Sequence, residues 1–237
     1  MSAGPPPRTA EDRRGRQRLL LGASFGVTGA LIGLVVPVSV LLANASSPSG
    51  EVLRGATLVE VLAALFAAGL LLLTLSFVAY RSAFARLRRV DRRFWAASAL
   101  CLVGSLGLLV LAAAAVVAGG SAATWAQCVH SSPIPNPGCL GPASGGAPLD
   151  APLVGVGFGL AWIGSLGIVV GLALEGERAR TRLLTAAAAA YAVTLLALLG
   201  PFASLFVSLP GTAGLAVAAP ILAVIAPALV LAATRRR

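Results

Sequence analysis

RSAFARLRRVDRR, residues 81–93, is the stretch from which this chain is read: six arginines and one aspartate wedged between two long uncharged apolar runs. A short, strongly basic connector between apolar runs belongs on the cytoplasmic side of a membrane. Every other segment then takes a side by counting spans outward from it. The 237 residues are 58% hydrophobic and only 11% charged, outside the range of ordinary soluble domains. The composition is that of an integral membrane protein.

On the N-terminal side, the apolar runs predict spans over Leu19–Ala43 and Ala56–Tyr80, preceded by a Pro- and Arg-rich tail, residues 1–18, too poor in apolar residues to fold. Ala43-Asn44-Ala45 has the small-residue pattern of a signal cleavage site. The preceding apolar run, at 25 residues, is nevertheless long enough to cross the hydrocarbon and longer than a signal core of about 7–15 residues, so the reading is an uncleaved span. On the C-terminal side the predicted spans are Phe94–Ala118, Pro152–Leu174, Leu183–Leu209 and Ala213–Thr234, closed by three arginines at 235–237. The long hydrophilic segment 119–151 lacks arginine and lysine and is expected outside. With the N-terminus inside, seventeen of the eighteen basic residues fall on the cytoplasmic side, Arg54 being the exception. The expected fold is therefore all-α, a polytopic six-transmembrane-helix bundle with both termini inside the cell membrane. Tyr80, Phe94 and Trp95, flanking the basic stretch, fit an interfacial aromatic belt.

The net charge of +10 would suggest nucleic acid as partner in a soluble protein. Here the charge sits in short loops beside spans, and anionic lipid headgroups are the fitting partner, at about 1 kcal/mol per arginine near the surface. No nucleic-acid partner is expected. All the basic residues are arginine, so a lysine Schiff base, a P-loop lysine and a lysine general base are excluded by inventory. The one histidine, His130, lies in the outer segment, which excludes an intramembrane Ser-His pair and an HExxH zinc site. Cys128, His130 and Cys139 form an incomplete ligand set, so neither a metal nor a cofactor is expected. Cys128 and Cys139 are read instead as a disulfide, since Pro133, Pro135, Pro137 and Gly138 stiffen and turn the intervening chain on the oxidising side of the membrane. Cys101, within the third span, reads as a small buried apolar residue.

Glu60 is the only carboxylate in the predicted spans and hence the candidate intramembrane polar site. As the fifth residue of its span it lies about 6 Å from the start, where it reaches headgroups or water. An interfacial role is the expectation, with a proton or cation site as the alternative.

Small residues recur at spacings that allow helices to approach closely: Gly22 with Gly26, and Gly29 with Gly33, in the first span, and six glycines between Gly155 and Gly171 in the fourth. Packing within the bundle or between copies is the first reading, and a glycine-lined permeation path the second. Pro37, Pro201, Pro220 and Pro227 fall inside spans and are expected helix breaks, each removing a backbone donor. Such breaks occur at transporter sites, but also wherever neighbouring helices satisfy the freed groups.

The run RSAFARLRRVDRRF (81–94) leading into a span rich in small residues, followed by the glycine-rich span GLAWIGSLGIVVGLALEGE (159–177), resembles an archaeal family of small multi-pass membrane proteins of unknown function. The resemblance covers about the middle half of the chain, departs in the cysteine-bearing outer segment, and implies a multi-pass fold without implying an activity. No residue set for an enzyme is present. The functional expectation is a structural or accessory subunit acting through helix packing, as a homo-oligomer or with a membrane protein partner. The alternative is a small transporter or channel for a neutral or apolar solute.

Overall fold

In a computed structural model of the protein, the backbone is described for residues 10–40, 55–89, 91–131, 150–204 and 212–235, and side chains within a subset of these. The described residues form six helical rods: α1 (Ala10–Ala30, continued by a π-helical turn Leu31–Val35 and by 36–40), α2 (Gly55–Leu87), α3 (Phe94–Ser131), α4 (Asp150–Arg178), α5 (Arg182–Ser204) and α6 (Thr212–Arg235). Five contain stretches long and apolar enough to cross a membrane, and α6 contributes a shorter apolar stretch, Ala219–Arg235. The chain is an all-α, multi-pass, six-helix membrane protein. α3 runs on to Ser131, beyond the apolar span ending at Ala118.

Each helix packs on its neighbour in sequence, and α6 returns to pack on α1, so the six close into a ring. Two connections explain the antiparallel order. Residues 88–93 join α2 to α3, with the Asp91 carboxylate accepting the Arg93 N–H (2.9 Å) and the Asp91 carbonyl accepting that of Phe94 (3.3 Å). This satisfies donors at the start of α3 that the helix itself cannot. Residues 179–181 join α4 to α5, with Arg180 left-handed at φ 50° and the Thr181 N–H bonded to the Gly176 carbonyl (2.9 Å), the pattern that ends a helix sharply. Arg14, Arg86, Arg89, Arg92, Arg182 and Arg235 accordingly belong to helix ends or turns on one end of the ring, as the arginine pattern requires.

Glycine supplies the close approaches. In lipid no hydrophobic force draws helices together, so association depends on close van der Waals contact, which missing side chains permit. A methyl placed on Gly33 would meet the Gly69 Cα at 2.8 Å, and one on Gly167 the Ala97 carbonyl at 2.7 Å. α1 is further tied to α2 by the Ser76 hydroxyl, which donates to the Gly22 carbonyl at 2.6 Å. The α1–α6 seam closes where Gly26 lies against the Pro227 ring. In α4, Gly157, Gly164, Gly167 and Gly171 pack against α2 or α3, whereas Gly155 and Gly159 face open space. Most of the glycine pattern is thus consumed inside one chain.

The prolines do not break their helices. Pro201 lies inside α5, and Pro220 and Pro227 inside α6. At Pro37 the missing N–H leaves the Gly33 carbonyl without its usual donor, and the helix just before it relaxes into the π turn, with the Val36 N–H reaching back to Leu31. The rod continues. Two of the three expected belt aromatics are also corrected: Tyr80 and Phe94 are completely buried, and Trp95 alone is exposed, at 61%. Cys101 is buried in the core.

Candidate functional site

The ring is solid at its arginine end and hollow beyond it. Toward the arginines, Leu19 of α1, Phe84 of α2, Phe94 of α3, Leu172 of α4, Leu184 of α5 and Val230 of α6 fill the interior, each no more than 2% exposed. An aromatic ladder crosses this plug. Phe94 and Phe84 stack at 6.0 Å between centroids, Phe84 and Tyr80 at 6.1 Å, and Tyr80 meets Tyr191 edge-on at 6.4 Å. These are favourable aromatic geometries, and the last step joins α2 to α5 across the ring.

Beyond Tyr191 the side chains no longer meet, and a chamber of about 220 Å³ opens. Its wall draws on every helix: Leu34 of α1, Phe66 and Phe77 of α2, Leu111 of α3, Phe158 and Trp162 of α4, Leu198 of α5 and Ala223 of α6 are among the contributors. Among the described residues no charged one lines it. Most of its few polar side chains are turned to the backbone: the Ser165 hydroxyl donates to the Ala161 carbonyl (2.8 Å), that of Thr194 to Ala190 (2.8 Å), and the Trp162 indole N–H to the Leu195 carbonyl of the next helix (3.1 Å). An apolar cavity of about 150 Å³ in a protein interior stays dry and takes benzene, so a chamber of this size and lining suits a somewhat larger apolar molecule. Nothing in it favours a charged one.

The arginine end carries two open clefts. One, of about 400 Å³, lies between α1 and α2 and is lined by Arg14, Ser82, Ala85, Arg86 and Arg89. The other, of about 730 Å³, is lined by Arg88, Arg89, Arg92 and Trp95.

Glu60, the candidate polar site from the sequence, is exposed on α2 near the end remote from the arginines and contributes nothing to the chamber. The buried carboxylate is a different one. Glu175, one residue past the predicted span Pro152–Leu174, lies on α4 at 1% exposure, with the Arg178 guanidinium donating to both its oxygens at 2.8 and 3.4 Å. The Glu175-x-x-Arg178 spacing, which places the pair on one helical face, was the available signal. Among the described residues no three His, Cys, Asp or Glu side chains gather to hold a metal. The proposed Cys128–Cys139 disulfide and the ligand candidate His130 lie outside the residues whose side chains are described. No family model, curated protein or solved structure matches the chain.

Proposed function

We propose that this is a six-span protein of the cell membrane, both termini cytoplasmic, that binds a neutral apolar solute in the chamber at the centre of its ring. The observation that carries this reading is the chamber itself, walled by all six helices, free of charge and backed by a tightly packed plug. The arginine split supports the orientation, which turns the plug to the cytoplasm and the chamber to the other half of the bilayer. The clefts at the arginine end offer guanidinium groups to anionic lipid headgroups and so hold the bundle at the interface. No enzymatic activity, cofactor or nucleic-acid partner is part of this reading.

The test uses Trp162, which lines the chamber, as the reporter in protein carrying Trp95→Phe and Trp125→Phe, reconstituted in lipid nanodiscs. Bromobenzene, a heavy-atom quencher of the right size, is expected to quench Trp162 saturably. Ala223→Phe, which places a ring in the chamber, is expected to abolish the saturable component. Quenching that stays linear in probe, or that Ala223→Phe leaves intact, goes against the chamber.

A structural or accessory role through helix packing keeps one supporting observation: Gly155 and Gly159, one turn apart on α4, meet nothing within 4 Å. Such a face suits a second copy or a membrane partner. Gly155→Leu with Gly159→Leu would then shift the oligomeric state in detergent, and an unchanged state removes this reading.

A further inference from the structure

Donor accounting at the chamber floor specifies its occupant more closely, on the premise that the chamber is a binding site. Of the polar side chains in the wall, Ser76, Ser165 and Thr194 spend their hydroxyl hydrogens on the carbonyls of Gly22, Ala161 and Ala190, and Trp162 spends its N–H on Leu195. Tyr191 is the exception. Its hydroxyl lies 3.3 Å from that of Tyr80, and among the described residues the two hydroxyls have only each other. Each carries one hydrogen, and one bond between them uses one hydrogen. One O–H is left over at the boundary between the packed plug and the hydrocarbon lining of the chamber. Tyr191 belongs to the chamber wall and Tyr80, fully buried in the plug, does not. Either hydroxyl can donate within the pair; Tyr80 donating to Tyr191 leaves the spare hydrogen on the residue that lines the chamber, whereas the reverse strands it inside the plug.

A buried donor without an acceptor is costly, and water is a poor remedy here. A buried water needs two to four polar partners, and the chamber wall offers a single hydrogen-bond donor, its other hydroxyls presenting only lone pairs. A molecule that is apolar throughout except for a single acceptor oxygen needs one donor and finds one. We propose that the chamber takes a neutral, largely hydrocarbon molecule bearing one carbonyl or ether oxygen, which accepts a hydrogen bond from Tyr191. The Tyr80 hydroxyl polarises that donor by bonding to its oxygen, a cooperative chain of two bonds.

The same Trp162 assay tests this with a matched pair, tetralin and its ketone 1-tetralone, each displacing bromobenzene at equal mole fraction in the nanodisc lipid. In the otherwise native protein the ketone is expected to displace at about tenfold lower mole fraction, the range of one hydrogen bond gained in a dry site. Tyr191→Phe should bring the two within about twofold while leaving tetralin unchanged, and Tyr80→Phe, which frees Tyr191 entirely, should keep the preference. Equal displacement by the two probes, or a preference that survives Tyr191→Phe, overturns the proposal and leaves the apolar chamber standing. Failure of tetralin itself to displace bromobenzene removes both. The comparison within unsubstituted Tyr80 and Tyr191 decides the matter even if a tyrosine variant fails to fold.

Discussion

Gly164→Ala puts the packing argument to its sharpest test, because the added methyl meets backbone rather than a side chain that can swing aside. At this crossing of α3 and α4 the new Cβ would overlap the Gly104 backbone and lie 2.9 Å from the Leu100 carbonyl oxygen. Carbon atoms rest at about 3.5–4.0 Å, so the two helices must part locally by about 1.5 Å. A gap of only about 0.5–1 Å already forfeits a quarter to a half of each contact's attraction along the seam. Overpacking against backbone falls in the upper part of the usual range, about 2–3 kcal/mol, and the better helix propensity of alanine returns about 1, leaving a net loss of about 1–2 kcal/mol. Gly159→Ala, on the same helix but facing open space, has only the second term and should be neutral or stabilised by up to about 1 kcal/mol. Reversible unfolding in mixed micelles, followed by Trp162 fluorescence, measures both. Equal effects at the two positions, or a Gly164→Ala protein as stable as the parent, would refute the claim that these glycines are consumed by packing within one chain.

Three further outcomes follow. Reporter fusions after Arg89 and after Arg237 should report cytoplasm and one within Ser144–Gly146 the exterior; a cytoplasmic signal from the last is incompatible with six spans. Intact mass of protein purified without reductant, before and after alkylation, should show Cys128 and Cys139 joined and Cys101 as the one thiol, and three alkylated cysteines would dismiss the disulfide. Glu175→Gln should destabilise the bundle by about 1–3 kcal/mol by weakening a charge-assisted bond at a buried site, while Glu60→Gln, on an exposed carboxylate, should change it by less than about 0.5 kcal/mol. A reversed order in the same unfolding assay contradicts the placement of the two carboxylates.

The number of helices and the gathering of arginines at one end were legible in the sequence because they depend on hydropathy and charge alone. The glycine spacings announced close approaches, but Gly33 carries no sign that its partner is Gly69, nor Gly164 that its partner is Gly104. Tyr80 and Phe94 were misread because an aromatic at the edge of an apolar run looks the same whether it faces headgroups or caps a core. Glu175 fell outside the predicted span because a charge after a hydrophobic run resembles the start of a loop, and only its pairing with Arg178 makes burial tolerable. The chamber was illegible for a deeper reason: apolar side chains from six helices make the wall, and their rotation about each helix axis, not their identity, decides whether they meet or leave a space.

The seam between α1 and α6, where Gly26 receives Pro227, joins the first of the six helices to the sixth. Neighbouring helices can pair in order as they enter the bilayer, but the ring stays an open horseshoe until α6 arrives. Until then hydrocarbon tails of the surrounding lipid have free access to the future chamber wall. Completion of the wall therefore waits for α6, and closing the ring means squeezing lipid out through a narrowing gap.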